Sequence, residues 1–210
     1  KTTFNDDVSN WDVSSVTNMQ SMFNNAEAFN QPLNDWDVSN VTSMTYMFYL
    51  TPVFNQDLSS WNVSSVIGFQ GMFQNADGFN QDIGDWDVSS ATSMKNMFTS
   101  ADDFDQDLTN WDVSSVTNMQ AMFYNTGSFN SDISGWDVSN VTNMAQMFYR
   151  ANFNSDISGW DVSSVTNMYA MFESTWAHNP FNQDISSWDV SSVTSMHNMF
   201  WKAQDFNQDL

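Results

Sequence analysis

The 210-residue chain contains no cysteine, which excludes disulfides, thiolate metal sites, thiol nucleophiles and a cysteine-borne lipid, and leaves the redox compartment open. Positive charge is nearly as scarce. Four Lys+Arg stand against 25 Asp+Glu for a formal net charge of −21, so an electrostatic grip on nucleic acid or an anionic membrane is excluded. The only imidazoles are His178 and His197, which argues against His-dependent hydrolases and metal enzymes. No apolar run approaches the roughly 18 residues of a membrane span, and Lys1-Thr2-Thr3-Phe4-Asn5-Asp6 lacks the pattern of a signal peptide. Also missing are a glycine-rich phosphate loop, a Gly-x-Ser-x-Gly elbow and a His-Glu-x-x-His helix. What is abundant is apolar: 41% hydrophobic residues and 16% aromatics, with 10 Trp and 18 Phe. A chain of this composition folds.

Self-similarity dominates the sequence. Trp11, Trp36, Trp61, Trp86, Trp111, Trp136, Trp160 and Trp188 mark eight copies of a 25-residue unit, with one spacing shortened to 24 and one lengthened to 28. The unit reads Phe-Asn-Gln/Ser-Asp-Leu/Ile-x-x-Trp-Asp-Val-Ser-x-Val-Thr-x-Met-x-x-Met-Phe-x-x-Ala, and Phe104–Phe123 shows it nearly undisturbed. The irregular stretches, including Ser174–Pro180, all follow the Met-Phe pair, which predicts a surface loop there.

Two periodicities succeed one another within each unit. Trp111 and Val113 bracket Asp112 with the period of two that predicts a short strand. Val116, Met119, Met122, Phe123 and Thr126 then recur at spacings of three and four, which predicts a helix of about ten residues capped by Ser115 or Thr117. Neither element is stable alone. Burying about six large side chains per unit contributes on the order of 10–15 kcal/mol, whereas ordering the backbone costs roughly 1–2 kcal/mol per residue, so units must stack. The expected fold is α/β: a solenoid of strand–helix repeats with a parallel β ladder, similar to leucine-rich repeats, forming one domain over residues 1–210 and incomplete at both ends. An all-β solenoid is the alternative.

The run Trp-Asp-Val-Ser-x-Val-Thr-x-Met-x-x-Met-Phe, with Phe-Asn-x-Asp-Leu/Ile, resembles the bacterial surface-protein tandem repeat of about 25 residues. That family is a domain of unknown function found in mycoplasma-type lipoproteins and grouped loosely with BspA-like leucine-rich surface proteins. The resemblance covers essentially the whole chain. It implies an extracellular or cell-surface setting and adhesion or partner binding, and it carries no catalytic residues.

Fifteen acidic residues fall into two registers. One follows the tryptophans: Asp12, Asp37, Asp87, Asp112, Asp137, Asp161 and Asp189, interrupted by Asn62. The other is the Asp of Phe-Asn-x-Asp: Asp7, Asp57, Asp82, Asp107, Asp132, Asp156, Asp184 and Asp209, interrupted by Pro32. Stacked roughly 4.8 Å apart, neighbouring carboxylates repel by about 1 kcal/mol in water. The rows therefore either bind cations, calcium being the best match to hard oxygen ligands, or each Asp accepts backbone N–H bonds in its own turn. The recurrent Asn55, Asn80, Asn130, Asn154, Asn182 and Asn207, with Asp105 once in their place, suit an internal hydrogen-bonding ladder. Sequons at Asn40, Asn62 and Asn140 arise from the repeat itself.

Trp176 and Trp201 lie outside the Trp register, the first beside His178 in the long loop and the second beside Lys202. Such aromatics either contact a sugar ring or protein partner or tuck over the stack. Tyr46, Tyr49, Tyr124, Tyr149 and Tyr169 offer the same choice. Outward positions that vary between units, such as Thr45, Lys95, Gln120 and His197, form the expected variable surface. Together these features predict a non-enzymatic, extracellular repeat protein that recognises protein or glycan on another surface. The alternative is a filament or envelope layer in which copies stack end to end, because the chain begins and stops inside the repeat.

Overall fold

The computed structural model describes residues 2–174 and 179–209, which form a succession of tight turns stacked repeat upon repeat. Among these residues there is no helix and no strand longer than a single bridge, so both the α/β solenoid with its parallel β ladder and the all-β alternative are corrected. One repeat shows why. Between Ile83 and Phe104 the N–H groups of Trp86, Ala91, Met97, Thr99, Ala101 and Phe104 each donate to the carbonyl three residues back. A chain of such turns returns its side chains to one side every three residues. Met94, Met97, Phe98 and Ala101 therefore line the core at a spacing that imitates a helix.

The remaining N–H groups of that segment leave the repeat. Those of Met94, Asn96, Phe98 and Ser100 donate to Asn118, Gln120, Met122 and Tyr124 of the next unit at 2.8–3.0 Å. An α-helix would have spent all of them internally. The same four bonds recur at every boundary from Met19→Ser43 to Ser174→Trp201. They go with residues in the left-handed region, two in most repeats, Asn96 (φ 58°) and Ser100 (φ 53°) in this one. Left-handed geometry costs roughly 1–2 kcal/mol per non-glycine residue. Four hydrogen bonds at about 0.5–1.5 kcal/mol each, together with the rings they bring into register, offset it.

The expected strand fails for a related reason. Trp86 and Val88 are buried and Asp87 is exposed, as alternation requires. The backbone there closes turns on itself, however, and it is the indole Nε1–H of Trp86 that crosses to the preceding repeat, donating to Leu58 O at 3.0 Å. Each tryptophan that marks a repeat, from Trp36 to Trp188, does likewise. Strand-like pairing shrinks to one parallel bridge per boundary, from Asn18↔Ser43 to Asn167↔Ser195.

The core is a set of aromatic columns. Phe23, Phe48, Phe73 and their successors stack at 5.6–5.9 Å, and each also stacks on the Phe that opens the next Phe-Asn run, as Phe73 does on Phe79 at 3.9 Å. Along one side, the Oδ1 atoms of Asn5, Asn30, Asn55, Asn80, Asp105, Asn130, Asn154 and Asn182 each accept the N–H of the equivalent residue one repeat later.

Candidate functional site

In both acidic registers the carboxylates from Asp7 to Asp189 are each engaged in their own turn, Asp7 accepting the N–H of Ser9. Oδ1 of Asp12, Asp37, Asp87, Asp112, Asp137, Asp161 and Asp189 accepts the N–H of the serine two residues on. Asp57, Asp82, Asp107, Asp132, Asp156 and Asp184 accept from Ser59, Gly84, Thr109, Ser134, Ser158 and Ser186 in the same way. Side-chain hydroxyl bonds, backed by the backbone ones, hold Asp12, Asp37, Asp87 and Asp112 below the ordinary carboxylate range. Among the described residues no group of three or more His, Cys, Asp or Glu side chains gathers as a metal site. These rows are turn-formers facing solvent.

Of the three aromatic and imidazole candidates, Trp201 is 46% exposed with the Lys202 ammonium 4.4 Å from its ring centroid. Trp176 and His178 lie outside the described residues. Trp201 belongs to a larger feature that single positions did not reveal. The four inter-repeat bonds turn four side chains per unit to one side: those one, two, five and six residues after the first Met, namely residues 20, 21, 24 and 25 and their equivalents. They form one continuous face. Gln70 Nε2 donates to Tyr46 Oη at 2.7 Å across the first two columns, Tyr46 packs edge-on against Tyr49 across the next pair, and Arg150 lies over the Tyr149 ring across the last.

This face has its own chemistry. All five tyrosines fall in it, as do Lys95, Arg150 and Lys202, three of the chain's four Lys+Arg, and His197, whose ring stacks on Tyr169 at 5.8 Å. Tyr124 and Tyr149 stack face to face at 4.4 Å. Of the 25 acidic residues only Glu173 lies in these columns, and it is 5% exposed. A molecule of net charge −21 thus keeps one flank nearly free of exposed carboxylates. The positions also vary from unit to unit: the third column reads Asn24, Tyr49, Gln74, Thr99, Tyr124, Tyr149, Glu173 and Trp201. That variability was the signal available in the sequence. It was visible at Thr45, Lys95, Gln120 and His197.

In the first four repeats the face is hollowed. Asn24, Tyr46, Tyr49, Gln74 and Asn96 enclose about 300 Å³ open to solvent. The floor is the ring of Tyr46, lying over Gly71, a residue with φ +58° whose Cβ, if it had one, would overlap ring atoms Cδ1 and Cε1. Tyr49 stands beside it, ring centroids 5.7 Å apart and planes at 70°. A second hollow, lined by Ile185, Trp188, Val190, Met196, Met199 and Phe200, lies on the outer surface of the final repeat.

Three overlapping stretches, residues 1–82, 61–152 and 131–210, match one family model, described as "Mycoplasma protein of unknown function, DUF285". The matches tile the chain and bear out its tandem-repeat nature, while the grouping with BspA-like leucine-rich proteins finds no support in them. No curated protein and no solved structure matches the chain.

Proposed function

The chain belongs to the DUF285 family, whose description assigns no activity, and we propose that it is a non-catalytic recognition protein that uses its tyrosine-bearing face to bind a protein or glycan on another surface. The supporting observation is the partition of residues. The core, Asn and Asp registers repeat with little change, whereas the four face columns vary and collect the tyrosines, most cations and an exposed tryptophan. Tyrosine offers large contact area at low conformational cost and a hydroxyl for hydrogen bonding. A cell-surface setting is part of this reading, because adhesion needs a broad exposed flank rather than an enclosed cleft. Immobilised protein screened against glycan and cell-surface protein panels tests it. Binding should fall at least tenfold in Tyr124→Ala/Tyr149→Ala and stay unchanged in Asn34→Ala on another side. Equal binding by all three sinks the proposal.

One observation favours a second reading, end-to-end assembly. Trp11 is 54% exposed, whereas every later register tryptophan is at most 7% exposed, and Val190 and Met196 of the last repeat are 39% and 40% exposed. These are surfaces that a neighbouring repeat covers elsewhere, and they suit a further repeat of a longer chain or a second copy. Light scattering that grows with concentration would support assembly; a constant monomer mass would refute it.

A further inference from the structure

We propose that the hollow formed by Asn24, Tyr46, Tyr49, Gln74 and Asn96 is a binding site for a neutral sugar ring. The inference rests on the recognition reading of the tyrosine face and names a ligand class for one part of it. The hollow is a local exception to the repeat. At the position of Gly71 the other units carry Ser21, Tyr46, Asn96, Ala121, Gln146, Ala170 and Asn198. Only at Gly71 is the side chain absent, and there the preceding unit's Tyr46 ring lies down on the next repeat. Gln70 Nε2, donating to Tyr46 Oη at 2.7 Å, fixes the ring's rotation. The outcome is a preset aromatic floor with Tyr49 as an upright wall.

Those parts select a ligand. The floor offers a π-face to the C–H side of a pyranose. The rim consists of Asn24, Gln74 and Asn96, three carboxamides that both donate and accept, as a ring of hydroxyl groups requires. No charged side chain lines the hollow, so an anionic group would find no cation and an ammonium no carboxylate. A nucleotide would stack equally well, but its phosphates would meet a protein of net charge −21. A purely apolar side chain would leave three amides desolvated and unpaired. At about 300 Å³ the space lies at the small end of ligand sites, suited to one ring of a longer glycan. Affinity for a free disaccharide is therefore expected on the order of millimolar.

Saturation-transfer NMR on the whole chain tests this, with lactose, maltose, cellobiose and chitobiose as neutral probes and sialyllactose as an anionic one. Transfer to at least one neutral disaccharide is expected, falling tenfold or more in Tyr46→Ala and in Gly71→Asn and persisting in Asn34→Ala, an exposed residue outside the face. Gly71→Asn leaves the fold intact, because Asn96 and Asn198 hold the equivalent position at φ 58° and 60°, yet its side chain lifts the Tyr46 ring. No transfer to any neutral probe, transfer to sialyllactose alone, or transfer unaffected by Gly71→Asn overturns the proposal. If sugar binding is lost only in Tyr124→Ala, the hollow is wrong while the face remains a recognition surface. If the face variants change nothing in the protein and glycan screen, the broader reading falls instead.

Discussion

Trp111 illustrates what a single side chain does in this molecule. Its ring fills the core and stacks on Trp136 at 6.4 Å, and its Nε1–H donates to Ile83 O at 3.0 Å in the preceding repeat. Ile83 O also accepts the backbone N–H of Trp86, so it is not orphaned when the indole is removed. Trp111→Phe should therefore cost only about 1–2 kcal/mol, against roughly 3–5 kcal/mol for Trp111→Ala. Denaturant unfolding would distinguish these, and equal losses would mean that the ring's packing contributes nothing beyond the indole bond that both variants remove. Leu50 is a residue whose chemistry opposes its backbone. It sits at φ 57°, where the equivalent positions in the first, third and fifth repeats hold Asn25, Asn75 and Asn125. Asparagine visits the left-handed region far more readily than leucine. Leu50→Asn should stabilise the protein by roughly 0.5–1 kcal/mol, seen as a raised unfolding midpoint.

At the scale of the turn, two kinds of aspartate pull stability in opposite directions. The turn-forming carboxylates of Asp12, Asp112 and Asp161, held low by their Ser hydroxyl and backbone bonds, contribute stability that is fully present above the unfolded value near 3.9 and lost as pH falls through their lower folded values. Asp102 is the reverse: desolvation, then the adjacent Asp103, raises its pKa. Its ionised form weakens the fold at neutral pH, and that penalty vanishes as pH drops towards about 4. Asp102→Asn should accordingly raise the melting temperature at pH 7 and leave it unchanged near pH 4. An effect constant across that range would refute the assignment. Local bonds of this kind were legible in the sequence, since Asp-x-Ser turns and the Asn register follow from residue chemistry at short range, as do the buried Trp, Val and Phe positions. The element type was not. Met94, Met97, Phe98 and Ala101 have a helix's spacing, and nothing in their identities announces that Asn96 and Ser100 reverse handedness. That choice is set by acceptors on Asn118, Gln120, Met122 and Tyr124 a repeat away. The tyrosine face was legible in part, because its four columns share one side of a helical wheel, whereas the inter-repeat bonds that align them cannot be read from a single unit.

For the whole molecule, the decisive variable is register. Every boundary repeats one set of interactions: four backbone bonds, an indole bond, an Asn bond and stacked Phe rings. In such a stack, stability is approximately a sum of unit and nearest-neighbour terms, so removing a whole unit should subtract one unit and one boundary while leaving the others intact. Deleting Asp87–Trp111 joins Trp86 to Asp112 in phase. Asn80 Oδ1 then faces the N–H of Asn130, the acceptor that Asp105 had supplied. The shortened chain should keep a single cooperative transition and the near-ultraviolet signature of packed aromatics, at a moderately lower melting temperature. Deleting only Asp87–Phe98 removes fewer residues but sets turn against core column at that junction. The left-handed residues there lose the bonds that offset their cost, and the chain on either side must unfold locally or slip by half a unit. Calorimetry on the two deletions decides the matter. If the half-unit deletion is the more stable, neighbouring repeats do not hold one another in place and the stacked arrangement cannot be the source of the fold's stability.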